Sequence, residues 1–161
     1  MAFGYFYDMP IGRMFISEDG TGINEVALTD AKKEEYYLKN YFIEETKLIK
    51  EAATQLKEYF EGKRKQFDIR LNPKGTPFQK QVWDALLKIP YGETRSYKEI
   101  AEAVGNKKAC RAVGMANHNN PIMCIIPCHR VIGSDGSLTG YGGGLDLKEK
   151  LLSLEKTYAG K

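Results

Sequence analysis

A break at Asn72-Pro73-Lys74-Gly75, followed at once by Thr76-Pro77-Phe78-Gln79, limits what this chain can fold into more than any other feature. Proline removes a backbone donor and disfavours helix in the residue before it, so no regular element runs through the break. The next four residues do the opposite. Thr76 offers an N-cap oxygen, Pro77 suits the first helical position where no N–H is needed, and Gln79 can close a capping box. A chain of 161 residues can bury one good core or two small ones that pack together. The break therefore predicts two lobes, residues 1–73 and 76–161.

The first lobe opens with alternating stretches at Phe3–Tyr7, Arg13–Ile16 and Gly22–Leu28, separated by Met9-Pro10-Ile11-Gly12 and Glu18-Asp19-Gly20. This is the pattern of a small antiparallel sheet. Leu48, Ile49, Ala52, Ala53, Leu56, Tyr59 and Phe60 recur at helical spacing and predict a helix ending near Gly62. Lys32–Asn40, charged and rich in tyrosine, fits a short helix or a loop. Phe67–Leu71 alternates like one more strand.

In the second lobe, Val82, Trp83, Leu86 and Leu87 mark the buried face of the helix begun at Thr76. Ser96-Tyr97-Lys98-Glu99 caps another, with Ile100, Ala101 and Val104 turned inward, and Gly105-Asn106 ends it. A third helix, rich in small residues, is expected from about Lys107 to Asn117. Two short helices joined by a glycine turn read as a helix-turn-helix, a shape that also occurs in proteins that never touch DNA. Ile122–Ile126 reads as strand, and a last helix capped by Asp146, with Glu149 at N3, buries Leu147, Leu151 and Leu154. The expected class is α+β: sheet and helix first, a mainly helical lobe second.

Charge is unevenly placed. Residues 1–75 carry 12 Lys/Arg against 13 Asp/Glu, and residues 76–161 carry 12 against 8. From Ala103 to Ser134 there is no carboxylate, only Lys107, Lys108, Arg111 and Arg130, which suits a polyanionic partner. No apolar run approaches the roughly 20 residues that span a bilayer, and Met1 to Pro10 has no secretory pattern, so a cytoplasmic protein with no membrane contact is expected. Three cysteines, Cys110, Cys124 and Cys128, do not suggest a disulfide framework in such a compartment.

Cys128 is the candidate nucleophile, because a thiolate is far more reactive than an alcohol and His129 can supply a base. Taken alone, adjacency favours a blander reading: a buried structural cysteine beside a surface histidine. Neighbours on a strand point to opposite faces, so the pair needs a bent backbone or a bridging water, and Pro127 leaves room for a bend. Cys124, Cys128, His129 and His118 fit no familiar zinc spacing, and no C-x-x-C occurs. The glycines around Tyr141 lack the strand and the Lys-Ser/Thr of a phosphate loop.

Ile126-Pro127-Cys128-His129-Arg130-Val131, preceded by Asn120-Pro121 and followed by Gly140-Tyr141 and a Lys148-Glu149…Leu151-Leu152…Glu155 helix, closely resembles the O6-alkylguanine-DNA alkyltransferases. The likeness is dense from Thr76 to Glu155 and looser around Pro10-Ile11-Gly12. It implies a ribonuclease-H-like, mainly structural first lobe and a winged-helix-like second lobe that binds DNA and reacts. By the same resemblance Cys128 accepts the alkyl group, His129 activates it through a water, Glu155 orients the imidazole, and Asn120 braces the reactive turn. Tyr97 gives a proton to guanine N3, and Arg111 fills the gap left by the flipped nucleotide. Lys107, Lys108, Tyr97 and Ala112 join Arg111 on DNA, while Val131, Tyr141 and Gly142 shape the base pocket.

What the resemblance implies is stoichiometric repair of O6-alkylguanine in double-stranded DNA, reached from the minor groove by a monomer, with O4-alkylthymine a second candidate substrate. No metal or organic cofactor is required. The chemistry agrees, since a lesion on a base edge must be flipped out before a thiolate can reach it. Two departures from the family stand out: Gly142 lies where some members carry serine, and residues 1–109 contain no His or Cys for the zinc site of others. The rival classes are the non-transferring alkyltransferase-like proteins, which have tryptophan at the acceptor position, a cysteine hydrolase, and a sequence-specific helix-turn-helix regulator.

Overall fold

The computed structural model describes residues 2–138 and 144–160. They form two compact units, Met1–Lys74 with Pro121–Met123, and Gly75–Asn120 with Cys124–Lys161.

In the first unit, β1 (Phe3–Met9) and β2 (Gly12–Glu18) form a hairpin in register from Phe3↔Glu18 to Met9↔Gly12, and β3 (Ile23–Leu28) pairs antiparallel on the other side of β2. β2 is central, and its Met14, Phe15 and Ile16 are all fully buried. The undecided Lys32–Asn40 stretch is helical, as α1 (Ala31–Asn40). Asp30 caps it by accepting from Lys33 N–H, and Tyr37 stacks on Phe15 with ring centroids 3.8 Å apart. The next element, β4 (Phe42–Ile43), is only two residues long and pairs parallel to β1, too short for any periodicity to announce. α2 (Lys47–Phe60) follows where its apolar spacing placed it and adds Ile49, Ala52, Leu56 and Tyr59 to the core.

Phe67–Leu71 is not the strand its alternation suggested. Only Leu71 bridges to Ile23. The reason lies in Gln55, whose side-chain amide accepts from Asp68 N–H and donates to Asp68 C=O, so a side chain takes the groups a neighbouring strand would have used.

The second unit begins with α3 (Pro77–Leu87), and its capping box is complete: Thr76 Oγ1 accepts from Gln79 N–H, and Gln79 Oε1 accepts from Thr76 N–H. Val82, Trp83 and Leu86 are buried, but Leu87 is exposed, because it is adjacent to Leu86 and rotates off the apolar face. Trp83 Nε1 donates to Ala116 C=O in α5 (Cys110–His118), tying these helices together. α4 (Tyr97–Ala103) has the second complete capping box, Ser96 with Glu99. It buries Ile100 and Ala101, while Val104, at the C-cap, is half-buried. Gly105, at φ +82°, makes the left-handed turn toward α5 that a side chain would resist.

Three more local expectations need correction. Lys107 and Lys108 precede α5 in a turn, where Asn106 Oδ1 accepts from Lys108 N–H and delays the helix to Cys110. Ile122–Ile126 is not a strand: Cys124 has φ +69° and turns the chain, leaving one bridge from Ile122 to Val26. α6 (Leu145–Tyr158) is preceded by Gly144 at its N-cap, and Asp146 lies inside the first turn with no capping bond. Leu147 and Leu151 are buried, and Leu154 is half-buried. A short parallel pair, β5 (Arg95–Ser96) with β6 (Val131–Ile132), completes this unit. Among the described residues, no helix is long and apolar enough to cross a membrane.

Candidate active site

Pro127 cannot donate a backbone hydrogen bond, and the chain bends there into a single 3-10 turn, Cys128–Arg130. Cys128 N–H donates to Ile126 C=O and Arg130 N–H to Pro127 C=O. Two asparagines hold the bend. Asn120 Nδ2 donates to Ile126 C=O at 2.8 Å, and Asn117 Nδ2, from the buried face of α5, donates to Cys128 C=O at 3.2 Å. The bent backbone expected between Cys128 and His129 is therefore present.

His129 is fully buried, not a surface residue, and its Nε2 lies 2.6 Å from Glu155 Oε2. Arg130 reaches the same carboxylate with Nε on Oε1 at 2.8 Å and Nη2 on Oε2 at 3.0 Å, and its Nη1 donates to Ile89 C=O. Gly92 N–H adds a fourth donor to Glu155. Gly92 has φ +82°, and a Cβ there would lie 2.7 Å from the Ala159 side chain, so only glycine brings this N–H so close to α6. Burial raises the Glu155 carboxyl, but the bonds from His129 and Arg130 outweigh it and bring the pKa down to about 2. Burial depresses the pKa of His129 against the opposing pull of Glu155. The ring is therefore neutral, Nε2 carries the hydrogen given to Glu155, and the basic lone pair is on Nδ1.

Lys148 is also fully buried. Its Nζ donates to Val131 C=O at 2.5 Å and lies 5.9 Å from the centroid of the Tyr97 ring. Burial depresses its pKa, and the negative charge available at Cys128 partly restores it. Tyr97, the first residue of α4, is half-buried, and a Cβ on Gly114 of α5 would lie 3.9 Å from its ring. Val131 is buried.

The three thiols are free and differ in setting. Burial pushes the Cys124 thiol well up, with a further rise from the neighbouring Cys128, which makes it a poor nucleophile. Cys110 is exposed at the start of α5. Cys128, 5% exposed, is the thiol adjoining the neutral His129 and the cationic Lys148.

Of the residues proposed from sequence, Cys128, His129, Glu155 and Asn120 converge on the turn, with Tyr97 and Val131 joined to them through Lys148. Arg111 and Ala112 are exposed on α5, and Lys107 and Lys108 are exposed in the turn before it. Tyr141 and Gly142 lie outside the described residues. Arg130, counted among the cations facing a polyanion, is instead inside, paired with Glu155. Sequence reasoning passed over Arg130, Lys148 and Asn117. One signal was available: Leu147, Lys148, Leu151 and Glu155 share the spacing of one helical stripe, so two charged groups occupy apolar positions.

Fold and site together define a protein whose buried cysteine is tied through Asn117 to a helix that carries the exposed Arg111 and is led into by the exposed Lys107 and Lys108. Residues 4–73 match the family model for the ribonuclease-like domain of 6-O-methylguanine DNA methyltransferase, and residues 77–157 match the model for its DNA-binding domain. A methylated-DNA–protein-cysteine methyltransferase of Methanosarcina barkeri is 53% identical, over 94% of this chain and 97% of the relative. One from Mycobacterium tuberculosis is 46% identical, over 94% and 91%. The crystal structure of Mycobacterium tuberculosis OGT in complex with DNA aligns with a TM-score of 0.87 at 44% identity, covering 97% of this chain and 94% of that one. The chain belongs to the 6-O-methylguanine DNA methyltransferase family.

Proposed function

We propose that this chain repairs DNA directly, as a monomer in the cytoplasm, by moving an alkyl group from O6 of guanine in duplex DNA onto Cys128. Residues 1–73 serve mainly as scaffold, and residues 76–161 bind and react. The observation that carries the reading is the setting of Cys128: a thiol on a braced turn, beside a neutral imidazole whose basic nitrogen is fixed by Glu155.

The chemistry follows from these groups. His129 takes the thiol proton through a water, and the thiolate attacks the alkyl carbon in line with the C–O6 bond. That bond breaks, its electron pair goes to the departing guanine, and Tyr97 gives N3 a proton. The damaged nucleotide must first leave the stack, which costs a few kcal/mol, and Arg111 offsets part of that by filling the vacancy from the minor groove. Lys107, Lys108 and Ala112 lie along phosphate and groove. Val131, with Tyr141 and Gly142, bounds the base.

The product is a thioether, which water does not cleave, so each molecule acts once. The test is intact-protein mass spectrometry and peptide mapping after mixing with an excess of O6-methylguanine duplex. One methyl group per molecule, on Cys128, is the expected result. Continued turnover, or a methyl group elsewhere, overturns the proposal.

A further inference from the structure

The exposed face of α5 carries an apolar side chain that the proposed chemistry does not use. Val113, Ala116 and Asn117 define the buried side of this helix. At 100° per residue, the middle of the opposite side falls on Arg111, Met115 and His118, spaced i, i+4 and i+7. Met115 is 58% exposed, well above what a packed methionine would show. A large apolar side chain here, between an arginine and a histidine and one turn from Arg111, covers no core. Scattered exposed apolar residues are ordinary, but this one lies at the centre of the stripe that the repair reading turns toward DNA.

We propose that Met115 is a second groove-inserting residue, entering the DNA minor groove beside Arg111 and loosening the base step next to the flipped nucleotide. The inference rests on the repair reading above. Charge complementarity selects the occupant: between Ala103 and Ser134 the chain has no carboxylate, Arg111 is exposed one turn before Met115 on the same helix, and Lys107 and Lys108 are exposed in the turn that leads into it. The minor groove is walled by the C–H edges of sugars, and methionine is among the apolar side chains that proteins drive between base steps there. Its unbranched, polarisable thioether fills irregular gaps without one fixed shape, which suits a site that must accept any neighbouring sequence. Arg111 alone supplies a cation for the vacated position. Met115 adds apolar pressure one turn along the same helix, lowering the cost of opening the stack.

The experiment compares wild type with Met115→Ala and Met115→Leu. Single-turnover rate constants are measured on an O6-methylguanine duplex and on free O6-benzylguanine, which needs no flipping. Unstacking is read separately from 2-aminopurine fluorescence beside the lesion, with Cys128→Ser added to each protein. Met115→Ala is expected to lower the ratio of duplex to free-base rate constants about tenfold and to weaken the fluorescence rise. Met115→Leu, which keeps apolar bulk, should restore both to within about twofold of wild type. A Met115→Ala protein that matches wild type in ratio and fluorescence overturns the wedge and leaves the repair reading standing. A wild-type protein that transfers nothing from the duplex overturns both.

Discussion

Arg130 and Glu155 meet fork to fork, Nε on Oε1 at 2.8 Å and Nη2 on Oε2 at 3.0 Å, and both side chains are almost wholly buried. A planar guanidinium matches a carboxylate in a way that a lysine ammonium does not. Removing one partner strands the other charge inside the protein, at a cost of about 3–5 kcal/mol. Arg130→Met and Glu155→Gln should both lower the unfolding free energy by a corresponding amount, measured by urea unfolding. A loss under about 1 kcal/mol would show that the pair adds little beyond what solvent could replace.

Stability should also fall in acid, in two stages. Burial holds the folded His129 ring below its ordinary 6.5, so the unfolded chain takes up that proton first and stability declines as pH falls below about 6.5. Glu155 stays ionised in the folded protein down to about 2, against 4.5 for an ordinary glutamate. Its contribution is complete above 4.5 and is lost as pH falls from there toward about 2. Melting temperature against pH should therefore show a shallow limb below 6.5 and a second below 4.5, with the second shallower in Glu155→Gln, because Asp19 is also held below its ordinary range and keeps part of it. A flat profile between pH 7 and pH 5.5 would refute the depressed histidine.

Cys128→Ser should abolish alkyl transfer and leave affinity for lesion-bearing duplex within about twofold, because the exposed cations of the helix-turn-helix are untouched. Wild-type protein carrying the added methyl should melt lower than the free form, since the group enters space fitted to a thiol and overpacking costs about 1–3 kcal/mol. Calorimetry before and after reaction checks this. An unchanged melting temperature would mean that the pocket already has room.

Arg111→Ala should slow transfer from duplex DNA roughly tenfold more than transfer from free O6-benzylguanine, because only the duplex reaction includes opening the stack. Stopped single-turnover assays on the two substrates give the comparison. Equal losses on both would remove Arg111 from the flipping step.

Tyr97→Phe keeps the ring beneath Lys148 and loses the hydroxyl. A positioned general acid contributes on the order of 100-fold, so the transfer rate constant should fall by about that factor with lesion affinity nearly unchanged. Unaltered rate constants under saturating protein would exclude Tyr97 as the proton source.

What could be read in the sequence, and what could not, divides by the range of the interactions involved. Both capping boxes, Thr76 with Gln79 and Ser96 with Glu99, join residues three apart, and they stand as their spacing implied. The two false strands failed for nonlocal or backbone reasons: Gln55 takes the backbone groups of Asp68 from thirteen residues away, and Cys124 adopts a positive φ that no pattern announces. In the site, Cys128 and His129 are adjacent and visible, and the helix bearing Glu155 was legible through the resemblance. That Arg130 faces inward became evident only with Glu155 opposite it, since arginine beside a cationic helix reads equally well as surface. Lys148 could be seen to lie in the apolar stripe of α6, but its partner, the carbonyl of Val131, lies seventeen residues away and leaves no mark in the sequence.

The single 3-10 turn has a consequence for how this stretch of gene can change. With three residues per turn, consecutive side chains leave the axis about 120° apart, so Cys128, His129 and Arg130 point in three directions from one short coil. Substitution tests each direction separately. Inserting or deleting one codon ahead of His129 would rotate both later residues by a third of a turn, moving the imidazole and guanidinium off Glu155 together. The stretch behaves like a three-position lock, open to single-letter change at some cost but closed to any change of length.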